Sequence, residues 1–274
     1  MSSLREFITR LQRDNVVDGA AALGFYFTLA IFPAMIFLMA LIPYLPVDRV
    51  DEAIMNFLRQ ALPARTASVF ASVVDEVVRE RRGGVLTLGL AVALWSSSAG
   101  MYALMQQMNV VYGVRERRAF LHGRATAVAL TLLFAVLVLC AFSLIVMGGV
   151  IQDWIGARFG YSPGLLQFFV VFRWAIIVLA LVLAIGLVLH LGPNRKRPLR
   201  LFGAGTLTAT ALLIAGSLGF RLYVANFANY SATYGSIGAV IVLMLWLFLT
   251  GLAILVGAEV DALGERGADA TAMR

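Results

Sequence analysis

Residues 235–258 read GSIGAVIVLMLWLFLTGLAILVGA. No charged side chain interrupts these residues, and their length matches the roughly 20 residues that a helix needs to cross a ~30 Å hydrocarbon core. Five more runs of this kind precede it: about 21–42, 84–105, 127–151, 168–191 and 201–224. Inside lipid every backbone N–H and C=O must bond internally, so each run is expected to be a helix. The short alternating segments of a membrane β-barrel do not occur. The fold class is therefore all-α, a polytopic transmembrane bundle of six spanning helices within residues 1–262, followed by a short polar tail over 263–274.

Composition agrees with this. The chain is 61% hydrophobic and only 14% charged, against about half and a quarter in soluble domains. That apolar surplus exceeds what one globular core of this size can hide, so it must face lipid. No polar stretch is long enough to be a separate soluble domain. The first apolar run starts too late and runs too long for a cleavable signal, so it reads as a retained helix.

Orientation follows from Arg and Lys in the short loops. Arg115, Arg117, Arg118 and Arg124 follow the second run, and Arg195, Lys196, Arg197 and Arg200 follow the fourth. Arg5, Arg10 and Arg13 precede the first. These groups share one side, which is expected to be cytoplasmic together with both termini. The net charge of +7 is thereby explained by topology, and no nucleic-acid partner is invoked. Membrane lipids are the expected partners, with an envelope protein or a second copy of the chain as further ones.

The first loop, residues 43–83, carries six arginines balanced by six acids. Val50, Ala53, Ile54, Phe57, Leu58, Ala61 and Leu62 recur at helical spacing, and so do Val69, Phe70, Val73, Val74, Val77 and Val78. Pro63 separates them. The pattern predicts an external amphipathic helical hairpin that lies on the membrane or caps the bundle. Trp154, Tyr161, Trp174, Tyr223, Tyr230 and Tyr234 fall near the external boundary, where amphipathic rings prefer to sit. Gly84, Trp95 and Gly100 share their spacing with Gly235, Trp246 and Gly251, which reads as coincidence or as similar packing needs of two helices rather than a duplication. Pro33 interrupts the first run and is expected to kink it. Gly203, Gly205, Gly216 and Gly219, with Ser96–Ser98 in the second run, offer small surfaces for close helix packing.

Charge inside the membrane is the strongest functional pointer in such a chain. Arg173 and Arg221 fall in the external halves of the fourth and fifth runs. With Asn226, Tyr230 and Tyr234 they are the candidates for holding an anionic substrate, since a guanidinium matches phosphate well. The competing reading is that each arginine snorkels to nearby headgroups. Glu259 and Asp261 end the sixth run. They are the structural ion-pair candidates, facing Arg118, Arg124 or the 195–197 cluster. A metal site is not expected. The two histidines, His122 and His190, have no paired spacing, and Cys140 is the single cysteine. No HExxH, phosphate-binding GxxxxGK[ST] or GxSxG occurs, so no enzyme and no cofactor is expected.

Three stretches carry a family resemblance: DGAAALGFYFTLAIFP at 18–33, LWSSSAGMYALMQQMNVVYG at 94–113, and 191–263 with its NxxxxYG and W…GAE elements. In this order they resemble the YihY/BrkB family of bacterial inner-membrane proteins. The resemblance implies a six-helix protein of the inner membrane. Part of that family carries a ribonuclease BN label, which the residues argue against, because a metal-dependent nuclease needs clustered His and Asp ligands. The family is also linked by name to virulence, and some members are thought to move lipids or their precursors. The reading is thus a transporter or flippase-like protein for an amphiphilic, anionic substrate. The alternative is a non-transporting scaffold for envelope assembly.

Overall fold

The computed structural model describes residues 2–41, 83–159, 163–195, 200–226 and 230–272; the hairpin expected over 43–83 lies outside the described residues apart from its last position. All regular structure among them is helical. The helices are α1 (Ser2–Arg13), α2 (Val16–Leu41), α3 (Gly83–Tyr112), α4 (Phe120–Phe159), α5 (Pro163–Leu191), α6 (Ala204–Asn226) and α7 (Tyr230–Ala272).

Four of them carry stretches long and apolar enough to cross a membrane: Phe120–Leu137, Gln167–Leu191, Ala204–Val224 and Val240–Glu265. A shorter apolar stretch, Val16–Ile31, lies in α2. Large apolar side chains such as Val171, Phe172, Leu218, Leu222 and Ile241 stand exposed on the outside of these helices. In water such faces would be a liability; in lipid they are the solvent-matched surface.

α7 is the central helix. It packs against α2 and α6 along much of its length, and also meets α3 and α1. α2 pairs with α3, and the chain then runs on through neighbours, α3 on α4, α4 on α5, α5 on α6. The inward faces close into one core built from Leu23, Leu104, Met105, Met108, Ile185, Leu189, Leu255 and their neighbours.

The α6–α7 crossing explains why small residues recur there. A Cβ added at Gly257 would stand 2.5 Å from both Ala209 Cβ and the Gly205 carbonyl. One added at Gly205 would strike the Gly257 carbonyl and Asp261. The two backbones therefore touch across a small-xxx-small surface, Gly205 and Ala209 against Gly257. α2 meets α7 in the same manner, with Gly24 against the backbone of Phe248 and Gly251 against Leu23.

Two features depart from the expected organisation. α1 is a helix of its own, ahead of the first apolar run. Asn15, with φ 48°, makes the corner between α1 and α2, in the left-handed region that asparagine tolerates better than most residues. The polar tail is helical as well: α7 continues to Ala272. Glu265 in that extension is held by Arg195 at 2.6 Å, and the alanines that follow are strong helix formers.

The crossing leads to a direct test. Gly257→Leu is expected to destabilise the protein in detergent by ~1–3 kcal/mol, as overpacking does. Gly216→Leu should stay within ~0.5 kcal/mol, because nothing lies within 4 Å of a Cβ there. Thermal unfolding of the two variants compares them, and equal losses would remove the crossing as the reason for these glycines.

Candidate functional site

A cluster of polar residues gathers at one end of the bundle, where α3 and α5 finish and α7 emerges. Their placement begins with a helix stop. Gly113, at φ 66°, closes α3: its N–H donates to Val110 and that of Val114 to Asn109, at 3.0 and 2.8 Å. This is the paired 5→2 and 6→1 bonding that terminates helices through a left-handed glycine. α4 then starts beside Tyr102, whose ring meets that of Phe120 edge-on at 6.3 Å. Tyr102 is ten residues before Tyr112, about 15 Å along α3. Residues 113–119 therefore run back along the bundle rather than projecting from it.

Asn109 is the buried hinge of this arrangement. Its amide donates to Glu116 at 2.8 Å, and its carbonyl accepts the Asn194 N–H at 2.7 Å. Glu116 also accepts from the backbone N–H and the Nε of Arg118, at 2.9 and 3.1 Å. Arg118 donates onward to the Gly192 carbonyl at 2.7 Å. Gly192 is required here, since any side chain would collide with Met108 and the Val188 carbonyl. One closed set of hydrogen bonds thus joins α3, the 113–119 segment and the turn after α5.

Arg195 extends the set to α7. Its guanidinium lies 3.3 Å over the Tyr112 ring and pairs with Glu265 at 2.6 Å and Asp261 at 3.4 Å. The Tyr112 hydroxyl donates to Asp261 at 3.2 Å. Burial, opposed by Tyr112 and Asp261, holds the Arg195 guanidinium below its ordinary pKa; it remains a cation at neutral pH.

At the same end α1 delivers Arg10 to within 4.0 Å of Glu259, which is fully buried at 0% exposure. Arg10 also pairs with Glu6 at 2.8 Å. Gln107 of α3 donates to the Asp14 carbonyl at 2.9 Å and so ties down the α1–α2 corner.

Beside the Arg195 cluster opens a cleft of about 840 Å³. Arg115, Arg117, Arg118, Arg195, His122 and His190 line it, with Gly113 and Pro193–Asn194 completing the wall. Among the described residues no acid lines it. Among the described residues no three of His, Cys, Asp and Glu come together as a metal-holding group.

Of the residues singled out in the sequence, Asp261 meets Arg195, while Glu259 faces Arg10. Arg118 and Arg124 take other partners: Arg118 takes Glu116, and Arg124 donates to the Trp95 carbonyl at 2.8 Å and stacks 4.3 Å over that ring. Arg173, half-buried on α5, and Arg221, exposed on α6, stand far from this end, about 27 Å from Leu191 and about 26 Å from Ala204 along their helices. Among the described residues neither forms a hydrogen bond or an ion pair. Asn226 ends α6 and Tyr230 begins α7; the side chains of Asn226, Tyr230 and Tyr234 lie outside the described residues. From the sequence, the two arginine-rich loops were expected to set orientation and to pair with Glu259 and Asp261; their meeting with both histidines was not expected. The pairing of those loops across α3 depends on Asn109, which no local pattern marks.

Two outcomes follow from the Asn109–Glu116 pair. Asn109→Ala should lower stability by ~1–3 kcal/mol, the cost of leaving buried partners unmet, measured by thermal unfolding in detergent. The Glu116 carboxyl is pushed up by burial, but the Arg118 N–H, the Asn109 amide and the Arg118 charge outweigh this and hold it below its ordinary 4.5. A folded-state value below the unfolded one stabilises above that range, and the contribution is lost as pH falls through the folded value. Glu116→Gln should therefore melt below the wild type near neutral pH, with the gap closing in acid; a pH-independent gap would show that the charge is not what matters.

A family model described as virulence factor BrkB matches residues 7–273. The ribonuclease-like protein YfkH of Bacillus subtilis is 36% identical over 263 residues, covering 96% of this chain and 95% of its own length. A UPF0761 membrane protein of Alkalilimnicola ehrlichii is 32% identical over 252 residues, 91% of this chain but 55% of its own length. Another, from Aliivibrio salmonicida, is 24% identical over 262 residues, 93% of this chain and 81% of its own. No solved structure matches. With a family match over almost the entire chain and two relatives above 30% identity, this membrane protein belongs to the BrkB family.

Proposed function

We propose that the chain is a six-span protein of the bacterial inner membrane that moves an anionic amphiphile, a lipid or lipid precursor, between leaflets. The observation that carries this reading is Arg173. It lies six residues into the apolar stretch Gln167–Leu191, about 9 Å along the helix. It is half-buried and has no hydrogen-bond or ion-pair partner among the described residues. A cation at that depth is costly, and such residues mark pathways or meet a counter-charge. An anionic headgroup passing the helix would supply that charge, with Arg221 nearer the membrane boundary as its first contact.

The six-span count rests on helix length. α2 and α3, with 26 and 30 residues, measure about 39 and 45 Å, more than the ~30 Å core requires. Placing the arginine-rich end in the cytoplasm satisfies the positive-inside rule. It puts both termini inside and the 43–83 segment outside, as an amphipathic hairpin. The ribonuclease-like name borne by a relative is not carried over. Scaffolding without transport is the outcome if no lipid moves.

Two measurements test this. A cysteine at Arg117 in a Cys140→Ala background should resist an impermeant maleimide in intact spheroplasts and react in inverted vesicles; the reverse pattern would invert the topology. In proteoliposomes, movement of a headgroup-labelled anionic phospholipid should fall roughly ten-fold, the equivalent of ~1.4 kcal/mol, in Arg173→Ala. Arg173→Lys should retain part of the rate. No movement by the wild type would sink the transport reading, and an unchanged Arg173→Ala would remove Arg173 from it.

A further inference from the structure

The cleft between residues 113–118 and 190–195 is independent of the transport reading, because it lies at the opposite end of the bundle from Arg173. Positive-inside bias accounts for arginines in both segments, but not for their convergence. Four arginines and two histidines line one open volume of about 840 Å³, and none of its described lining residues is acidic.

The four cations fall into two kinds. Arg118 and Arg195 are each only 13% exposed and are anchored from behind, by Glu116 and by Asp261 with Glu265. Their rotamers are set before any ligand arrives, so little ordering entropy remains to be lost on binding. Arg115 and Arg117 are exposed, and among the described residues their side chains make no hydrogen bond or ion pair. They leave two positive charges uncompensated beside a fixed pair. A recess lined by one sign of charge concentrates counter-ions.

From this convergence we infer that the cleft is a binding site for a phosphate dianion, as inorganic phosphate or as the terminal phosphate of a monoester. Guanidinium forks match phosphate oxygens bidentately. The anchored pair would position the ligand, and Arg115 and Arg117 would close on it. His122 and His190 add imidazole donors at the rim. A cationic ligand finds no carboxylate among the described lining residues.

The test uses the full-length protein in detergent and in nanodiscs. Inorganic phosphate and glycerol 3-phosphate are titrated by calorimetry at constant ionic strength, with chloride as the reference anion. The double variant Arg115→Ala/Arg117→Ala removes cations that hold no part of the fold. Arg5→Ala/Arg158→Ala removes the same charge from exposed positions elsewhere. Saturable phosphate binding that weakens roughly ten-fold or more in the first variant, and less than about two-fold in the second, is the expected result. Absence of saturable binding, or equal weakening in both variants, would overturn the site. In nanodiscs of phosphatidylcholine with or without phosphatidic acid, competition by phosphatidic acid against glycerol 3-phosphate identifies a lipid phosphate as the source. Undiminished binding beside phosphatidic acid identifies a soluble one. Since the readout is binding, it stands or falls separately from lipid movement through Arg173.

Discussion

Apolar side chains gain nothing by leaving lipid for a neighbouring helix, so a membrane bundle must be held by close backbone packing and by polar pairs. In this chain the two means are concentrated on α7. Gly257 meets Gly205 and Ala209 of α6, and Gly251 meets Leu23 of α2. One turn beyond Gly257, Asp261 and then Glu265 reach Arg195. Close packing sets how near the helices lie, and the ion pairs set where α7 stops sliding.

At the charged end of the bundle several cations and acids pair with one another, and a positive surplus remains. Asn109 serves two segments at once, Glu116 collects three donors, and Arg118 and Arg195 each connect separate parts of the chain. Arg115 and Arg117 are left over, at the edge of a recess. The opposite half has the reverse economy: an apolar exterior with a cation, Arg173, set inside it. A bundle built this way presents positive charge at two depths, and the functional readings of the protein follow from those two placements.

Several elements were legible before the structure. The apolar runs around 168–191, 201–224 and 235–258 correspond to α5, α6 and the membrane part of α7, because length and uninterrupted hydropathy decide such helices. α1 was not expected, although Leu4, Phe7, Ile8 and Leu11 recur at helical spacing; the stretch is short and charged, and its arginines fit a cytoplasmic flank equally well without a helix. The helical tail was missed for a related reason. Its stability depends on Arg195, seventy residues away from Glu265, and local composition carries no trace of that partner. Glu259 and Asp261 stood out as acids at a helix end, but which cation each would meet depended on the rotation of α7 and on the path of α1.

By itself, then, the sequence determined the solvent of this protein, its helical class and the gathering of its positive loops at one end, since each follows from hydropathy, length or charge counted along the chain. The tertiary structure alone decided that residues 113–119 fold back along α3, that Arg195 locks α7, and that two arginine-rich loops and both histidines share one cleft. Those outcomes depend on contacts between residues far apart in the chain: the glycine stop at Gly113, the Asn109 link, and the approach at Gly192. No periodicity within a single segment encodes the distance between two loops.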